Sequence, residues 1–90
     1  MDFQKDIKGY EGLYLINKDG IIKSVRNNKI MKQTITKGGY FQIGLRKDGK
    51  QKFYRVHRLV AETFIANPEG KPEIDHIDRD KSNNNVNNLR

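Results

Sequence analysis

Two Lys-Asp-Gly turns, at residues 18–20 and 47–49, constrain what this chain can fold into. Asp-Gly between two β-like runs favours tight hairpin turns, because those turns need positive φ and match the twist of paired strands. The first turn joins "LYLIN" (13–17) to "IIKSV" (21–25), and the second joins "YFQIGLR" (40–46) to "QKFYRV" (51–56). Between them "NNKIMKQTITKGG" reads as a third short strand bounded by Asn-Asn and Gly-Gly breaks. Residues 9–56 are therefore expected to form a small antiparallel sheet or ribbon.

The period then changes. In "VHRLVAETFIA" (56–66) Val56, Leu59, Val60, Thr63 and Phe64 fall at helical spacing, and Asn67-Pro68 stops the run. A brief β-like segment, "EIDHI" (73–77), is followed by a polar loop through Asn85 and by "VNNLR" (86–90), which reads as the returning arm of a hairpin. The expected class is α+β: an antiparallel ribbon or sheet, one short helix and a final ββ hairpin.

Ninety residues allow one small core. The chain has no cysteine, which excludes disulfides and the thiolate zinc sites of small nucleic-acid binders. No apolar run approaches the roughly 20 residues of a membrane span, and "MDFQKDIKGYEG" has no apolar signal region. A cytoplasmic chain is expected. Net charge is +7, unevenly spread: residues 1–58 hold 14 Lys/Arg against 5 Asp/Glu, residues 59–90 hold 4 against 6. A basic front suits a polyanion, through release of condensed counterions. The acidic back suits a hard divalent cation. The same lysines would also serve as a solubilising surface or as edge protection for strands.

Asp75-His76 is the chemical focus. A neutral imidazole can take a proton from water, and a carboxylate can hold Mg²⁺ against a phosphate. Successive strand positions point to opposite faces, so the pair needs a twist or bulge to act together. By itself Asp-His is most often an ordinary hydrogen-bonded surface pair. His57, at the start of the helix, reads as a capping or packing histidine rather than a second base or ligand.

The run "VHRLVAETFIANPEGKPEIDHIDRDKSNNNVNNL" resembles the HNH endonuclease domain of phage and intron-encoded nucleases, whose form is V-H-R-L-V-A-x-x-F-I-x-N-P, then D/N-H-x-D-G-(N/D)-x-x-(N/D)-N, then N-L-x-W. Upstream, "IKGYEGLYLINKDGIIKSV" is similar to the short module that precedes this domain in such proteins. Together the two resemblances cover nearly the whole chain, and they point to HNH homing endonucleases of phage group I introns, which nick DNA.

The resemblance implies that Asp75 is a ligand of a single divalent metal, Mg²⁺ or Mn²⁺, and that His76 is the general base. It implies that Asn84 is the middle residue of the H-N-H signature and, like Asn88, holds the ββα-metal hairpin by hydrogen bonds. Either asparagine would also serve as a plain turn residue. Arg79 stands where the family commonly has glycine, which predicts a changed turn after Asp78. Phe3 stands where the module often has tryptophan. The family continues past N-L-x with tryptophan and a helix carrying the second metal ligand, whereas this chain stops at Arg90. The expectation is an incomplete ββα-metal motif, the αMe helix missing, with residues 73–90 looser than 9–66 because a lone hairpin is marginal.

Two divisions are expected: a basic β module for DNA over 1–55 and the N-terminal part of an HNH nuclease domain over 56–90. On the first, Lys23, Arg26, Lys29, Lys32, Lys37, Arg46, Lys47, Lys50, Lys52 and Arg55 are candidates for phosphate contacts, with Gln33, Thr34 or Gln42 for base edges. The functional expectation is metal-dependent nicking of double-stranded DNA by a monomer. The alternative is a non-catalytic DNA-binding fragment, and a third reading, a protein-interaction domain, predicts binding that salt does not weaken.

Overall fold

In the computed structural model, residues 5–65, 76–81 and 83–89 are described. The alternating runs form strands as expected, but they assemble into two sheets. The first has the order β1-β2-β3-β4, with β1 Lys5–Asp6, β2 Tyr14–Ile16, β3 Ile22–Ser24 and β4 Lys29–Ile30. The second has the order β5-β6-β7, with β5 Thr34–Ile35, β6 Phe41–Lys47 and β7 Lys50–Arg55. All pairings are antiparallel. The expected third strand is thus two: Lys29–Ile30 pairs with β3 and Thr34–Ile35 with β6, and the chain changes sheets across 31–33. The Gln33 amide donates to the Gly20 carbonyl at 2.7 Å and holds that crossing. One N–H of the Gln33 amide is held there.

Both Asp-Gly turns connect strands, in different ways. In the second, Lys47 pairs with Lys50, and the two residues between them, Asp48 (φ +54°) and Gly49 (φ +76°), adopt the double positive φ of a type I′ turn. The first is longer, spanning Asn17 to Ile21. Asn17 Oδ1 accepts the amides of Asp19 and Ile21, at 3.0 and 2.9 Å, closing the turn from inside. Gly20 sits at φ +81°, and a Cβ there would meet the Asn84 Cβ and the Val56 Cγ1, each at 3.1 Å. Both the left-handed backbone and the close approach require glycine.

Helix α1, Val56–Phe64, continues directly from β7. Val56, Leu59 and Val60 are buried as the spacing predicts, while Thr63 and Phe64 are half-buried. The helix ends earlier than 56–66: Ile65 is already extended (φ −109°, ψ 124°) and its amide caps the Ala61 carbonyl. Asn67-Pro68 lie outside the described residues. One core receives Ile7, Tyr10, Tyr14, Ile16 and Ile22 from the first sheet side, Ile43 and Leu45 from β6, Val56, Leu59 and Val60 from α1, and Leu89 from the far end of the chain.

The final hairpin departs from expectation. His76 and Leu89 form one antiparallel bridge, but Val86–Asn88 is a 3-10 turn instead of a strand. Asn85 causes this, since its Oδ1 accepts the Asn87 amide at 2.9 Å and starts a turn where a ladder would otherwise run. The segment is also not a hairpin with nothing to pack on. Leu89 is buried, the Val86 backbone amide donates to the Lys18 carbonyl at 2.8 Å, and the Asn85 side-chain amide donates to Asp19 Oδ1. The first Asp-Gly turn therefore carries the end of the chain. Residues 73–75 lie outside the described residues. Among the described residues, no helix is long and apolar enough to cross a membrane.

Candidate nuclease site

The bridge to Leu89 seats His76 at the edge of the core, where it is 7% exposed. Its Nε2 lies 2.8 Å from Asn84 Oδ1, and both side chains are buried. An amide oxygen only accepts, so this bond is made by an Nε2–H. That tautomer leaves the lone pair on Nδ1. Asn84 is in turn fixed by the close approach of Gly20, so the β2–β3 turn sets the imidazole through one intermediate residue.

The loop after His76 is organised by Asp78. Its Oδ1 accepts the Asp80 amide at 2.7 Å and the Asn88 side-chain amide at 2.9 Å, and its Oδ2 accepts the Asn83 side-chain amide at 2.9 Å. The Asn83 amide, the Asp80 N–H and the Asn88 amide together hold the Asp78 carboxyl below its usual range. Asn88 completes the knot by accepting the Asp78 amide at 3.0 Å and donating to the Asn83 carbonyl at 2.8 Å. Asn84 and Asn88 are both brought to the loop, Asn84 on the histidine and Asn88 on Asp78. Arg79 retains the glycine-like turn instead of changing it: its φ is +63°, and its amide closes on the His76 carbonyl at 3.0 Å. A side chain in left-handed backbone costs about 1–2 kcal/mol.

Asp75, the expected metal ligand, lies outside the described residues, as does Phe3. Among the described residues no group of three or more His, Cys, Asp or Glu side chains forms a metal site, and Asp78 has committed both oxygens to amide donors. The described side chains alone do not make a donor set for a divalent ion.

His57 is buried beside this centre, with its ring centroid 5.0 Å from that of His76 and 5.2 Å from that of Tyr40. It is not the helix cap, which is Arg55. Its Nδ1 is buried without a hydrogen-bond partner. Burial, followed by the facing His76 and the Arg58 and Arg55 charges, lowers its pKa from 6.5 to about 4, so His57 is neutral at physiological pH.

The ten candidate phosphate ligands are distributed over several surfaces. Directly paired residues of a sheet share a face. One face of the second sheet therefore carries Thr34, Gln42, Gly44 and Arg46 with Arg55, Phe53 and Gln51, and Phe53 is 63% exposed on it. On the opposite side, beyond the core, Lys47, Lys50 and Lys52 line a cavity of about 330 Å³ with Gly9, Tyr10 and Tyr54. There Lys47 donates to the Gly9 carbonyl at 2.8 Å and the two tyrosine hydroxyls share a 2.8 Å hydrogen bond. Arg26, Lys29, Lys32 and Lys37 are exposed on turns and on β4, while Lys23 on β3 is half-buried and already engaged. Sequence reasoning did not find Asp78, Lys81, Tyr40 or the proximity of the two histidines. For Asp78 a signal existed, since Asp followed two residues later by a turn amide is an Asx pattern; the others depend on contacts across more than 15 residues.

Comparison with known proteins agrees with the motif reading. A NUMOD4 motif matches residues 5–46 and an HNH endonuclease domain matches residues 54–90. DNA endonuclease I-HmuI of Bacillus phage SP01 is 48% identical over 86 residues, covering 96% of this chain and 49% of its own length. H-N-H endonuclease F-TflII of Escherichia phage T5 is 35% identical over 78 residues, covering 84% of this chain and 40% of its own length. The solved structure "DNA binding and cleavage by the HNH homing endonuclease I-HmuI" superposes with a TM-score of 0.88 at 48% identity, over 96% of this chain and 49% of that one. The chain thus spans about half the length, or less, of these relatives.

Two substitutions test the geometry. Arg79→Gly relieves the left-handed strain and is expected to stabilise the fold by about 0.5–1 kcal/mol in chemical denaturation, after the entropy cost of glycine is subtracted. A loss of stability would show that the Arg79 side chain supplies more than the backbone costs. For His57 the folded pKa lies below the unfolded one, so the unfolded chain binds more protons between pH 6.5 and about 4. Stability contributed by neutral His57 is fully present above about pH 6.5 and is lost as pH falls toward 4. His57→Phe, which keeps the ring and removes the orphaned nitrogen, is expected to raise stability by about 1 kcal/mol at pH 7 and to flatten that acid slope. Thermal melts at pH 7 and pH 5 read both effects.

Proposed function

The chain belongs to the HNH endonuclease family, and from that premise we propose that it holds duplex DNA and hydrolyses one phosphodiester of it. Residues 1–55 do the holding and residues 56–90 carry the chemistry. The single observation that supports this most is the buried bond between His76 Nε2–H and Asn84 Oδ1, because it presets the tautomer a general base requires.

In this reading His76 Nδ1 takes a proton from water, the water oxygen attacks phosphorus, and one P–O bond of the backbone breaks. The leaving oxygen takes a proton from solvent. Asn84 keeps the base aligned and, once His76 is protonated, still accepts from Nε2–H, so the imidazolium does not have to reorient. Asn88 and Asp78 keep the loop in shape. HNH endonucleases are in general divalent-metal-dependent. We assign Asp75 as the residue that would hold Mg²⁺ or Mn²⁺, which would stabilise charge on the phosphate oxygens.

The DNA partner follows from charge and shape. The face bearing Thr34, Gln42, Gln51 and Phe53 is flanked by Arg46 and Arg55. Amide side chains pair with base edges, an exposed ring can meet a thymine methyl, and the two-stranded β6–β7 ribbon is of a width the major groove admits. Arg26, Lys29, Lys32 and Lys37 are assigned to phosphates beside it, whereas Lys47, Lys50 and Lys52 lie on the opposite side of the sheet and are not assigned to this groove. Not all ten cations can touch one groove, because they stand on opposite sides of the sheet.

The decisive assay is nicking of supercoiled plasmid with Mg²⁺ or Mn²⁺. Removing a general base typically costs on the order of 10²–10⁴ in rate, so His76→Ala is expected to lose nicking by that factor while duplex affinity stays within about twofold. Wild-type nicking that His76→Ala preserves would refute the assignment. Salt-sensitive binding with no nicking by either chain would favour a non-catalytic DNA-binding module instead.

A further inference from the structure

Lys81 lies in the loop that follows His76, yet its side chain is turned away from the loop. Its ammonium donates to the Gly38 carbonyl at 2.7 Å and stands 4.7 Å from the centroid of the Tyr40 ring. Its stem passes Gly39, where a Cβ would come within 3.5 Å of the Lys81 Cδ. Three successive residues of the β5–β6 turn, Gly38 to Tyr40, thus receive one side chain from 41 to 43 residues away. That turn is itself closed: the Thr36 amide donates to the Tyr40 carbonyl at 2.8 Å, the Gly39 amide to the Thr36 carbonyl at 3.0 Å, and the Tyr40 amide to Thr36 Oγ1 at 3.2 Å. Lys81 therefore closes on a preformed platform.

Tyr40 extends that platform to the histidines. Its ring centroid is 5.2 Å from that of His57 and 6.2 Å from that of His76, and the Arg55 guanidinium carbon lies 5.5 Å from it. A lysine exposed on a loop normally keeps its rotamer freedom. Here a charge-assisted hydrogen bond and a cation–π contact act on the same ammonium. With its donor aimed at a backbone carbonyl, Lys81 is engaged within the protein, as Lys47 is at the Gly9 carbonyl.

We propose that Lys81 is a positioning residue, which by clamping the Gly38 carbonyl and the Tyr40 ring fixes the His76 loop to the sheet that holds DNA. This rests on the nuclease reading for its purpose, but the clamp itself can be tested without hydrolysis. In such a device the sheet sets the register on the duplex, and the clamp transmits that register to the base at His76.

The experiment compares the wild-type chain with Lys81→Met, which keeps the stem and removes the ammonium, with Lys81→Arg and with Tyr40→Leu. Amide exchange of Ile77 and Arg79, both hydrogen-bonded in the loop, is read against the amides of β6 and β7. Duplex affinity is measured at two salt concentrations. Lys81→Met and Tyr40→Leu are expected to speed loop exchange by on the order of tenfold while β6–β7 exchange is unchanged. Lys81→Arg is expected to fall between wild type and Lys81→Met, and Lys81→Met to keep affinity within about twofold. Unchanged loop exchange in Lys81→Met would overturn the proposal. So would a tenfold loss of affinity with a shallower salt dependence, which would make Lys81 a phosphate ligand. A wild-type chain that binds but does not nick would remove the nuclease reading and leave the exchange comparison decisive for Lys81.

Discussion

The five residues from Asn17 to Ile21 hold this protein together. Asn17 closes the turn from within, the Gly20 carbonyl takes the Gln33 amide where the chain changes sheets, and the Lys18 carbonyl takes the Val86 amide near the other end of the chain. Gly20 itself presses against Val56 at the start of α1 and against Asn84. One turn therefore sets the spacing between the first sheet, the helix and the residue that holds His76. A side chain at Gly20 would face two penalties at once, positive φ and two contacts at 3.1 Å, whereas Gly12, at φ +78° with open space around it, would face only the first.

Above this scaffold, polar groups are placed in two different ways. Around Asp78 both carboxylate oxygens accept from donors, and the loop is defined by asparagine amides and backbone N–H groups. Around His57 the opposite holds, since a buried ring nitrogen has no partner and the ring stays neutral. The neutral His57 places no cationic charge beside His76, which suits a neighbour that must accept a proton in our reading. The orphaned nitrogen is a cost to stability that an apolar ring would not carry.

Much of the fold was legible because it depends on local rules. Asp48-Gly49 demanded a type I′ turn and formed one, and Val56, Leu59 and Val60 faced the core as their spacing required. What was not legible depends on distant partners. Nothing in "NNKIMKQTITKGG" says that its two halves pair with different sheets, because that choice is made by β3 and β6. The returning arm at 86–90 looked like a strand until the Asn85 side chain captured the Asn87 amide. Arg79 was expected to reshape its turn, yet the surrounding bonds to His76 and Asp78 hold the glycine-like backbone. In the site, motif resemblance brought His76 forward as a base and Asn84 as a residue that holds the hairpin, whereas the bond between them and the ring cluster of Tyr40, His57 and His76, which joins residues up to 36 positions apart, came only with the structure.

A base role for His76 requires the proton on Nε2 and the lone pair on Nδ1. Long-range ¹H–¹⁵N spectra of the chain near pH 7.5 read this directly, with His76→Ala and His57→Phe spectra assigning the two rings. The predicted result is a protonated Nε2 and an unprotonated Nδ1 on His76, with Asn84→Ala mixing the two tautomers. A His76 ring protonated on Nδ1 in the wild-type chain would contradict it, because the lone pair would then face Asn84 and no base would be offered to water.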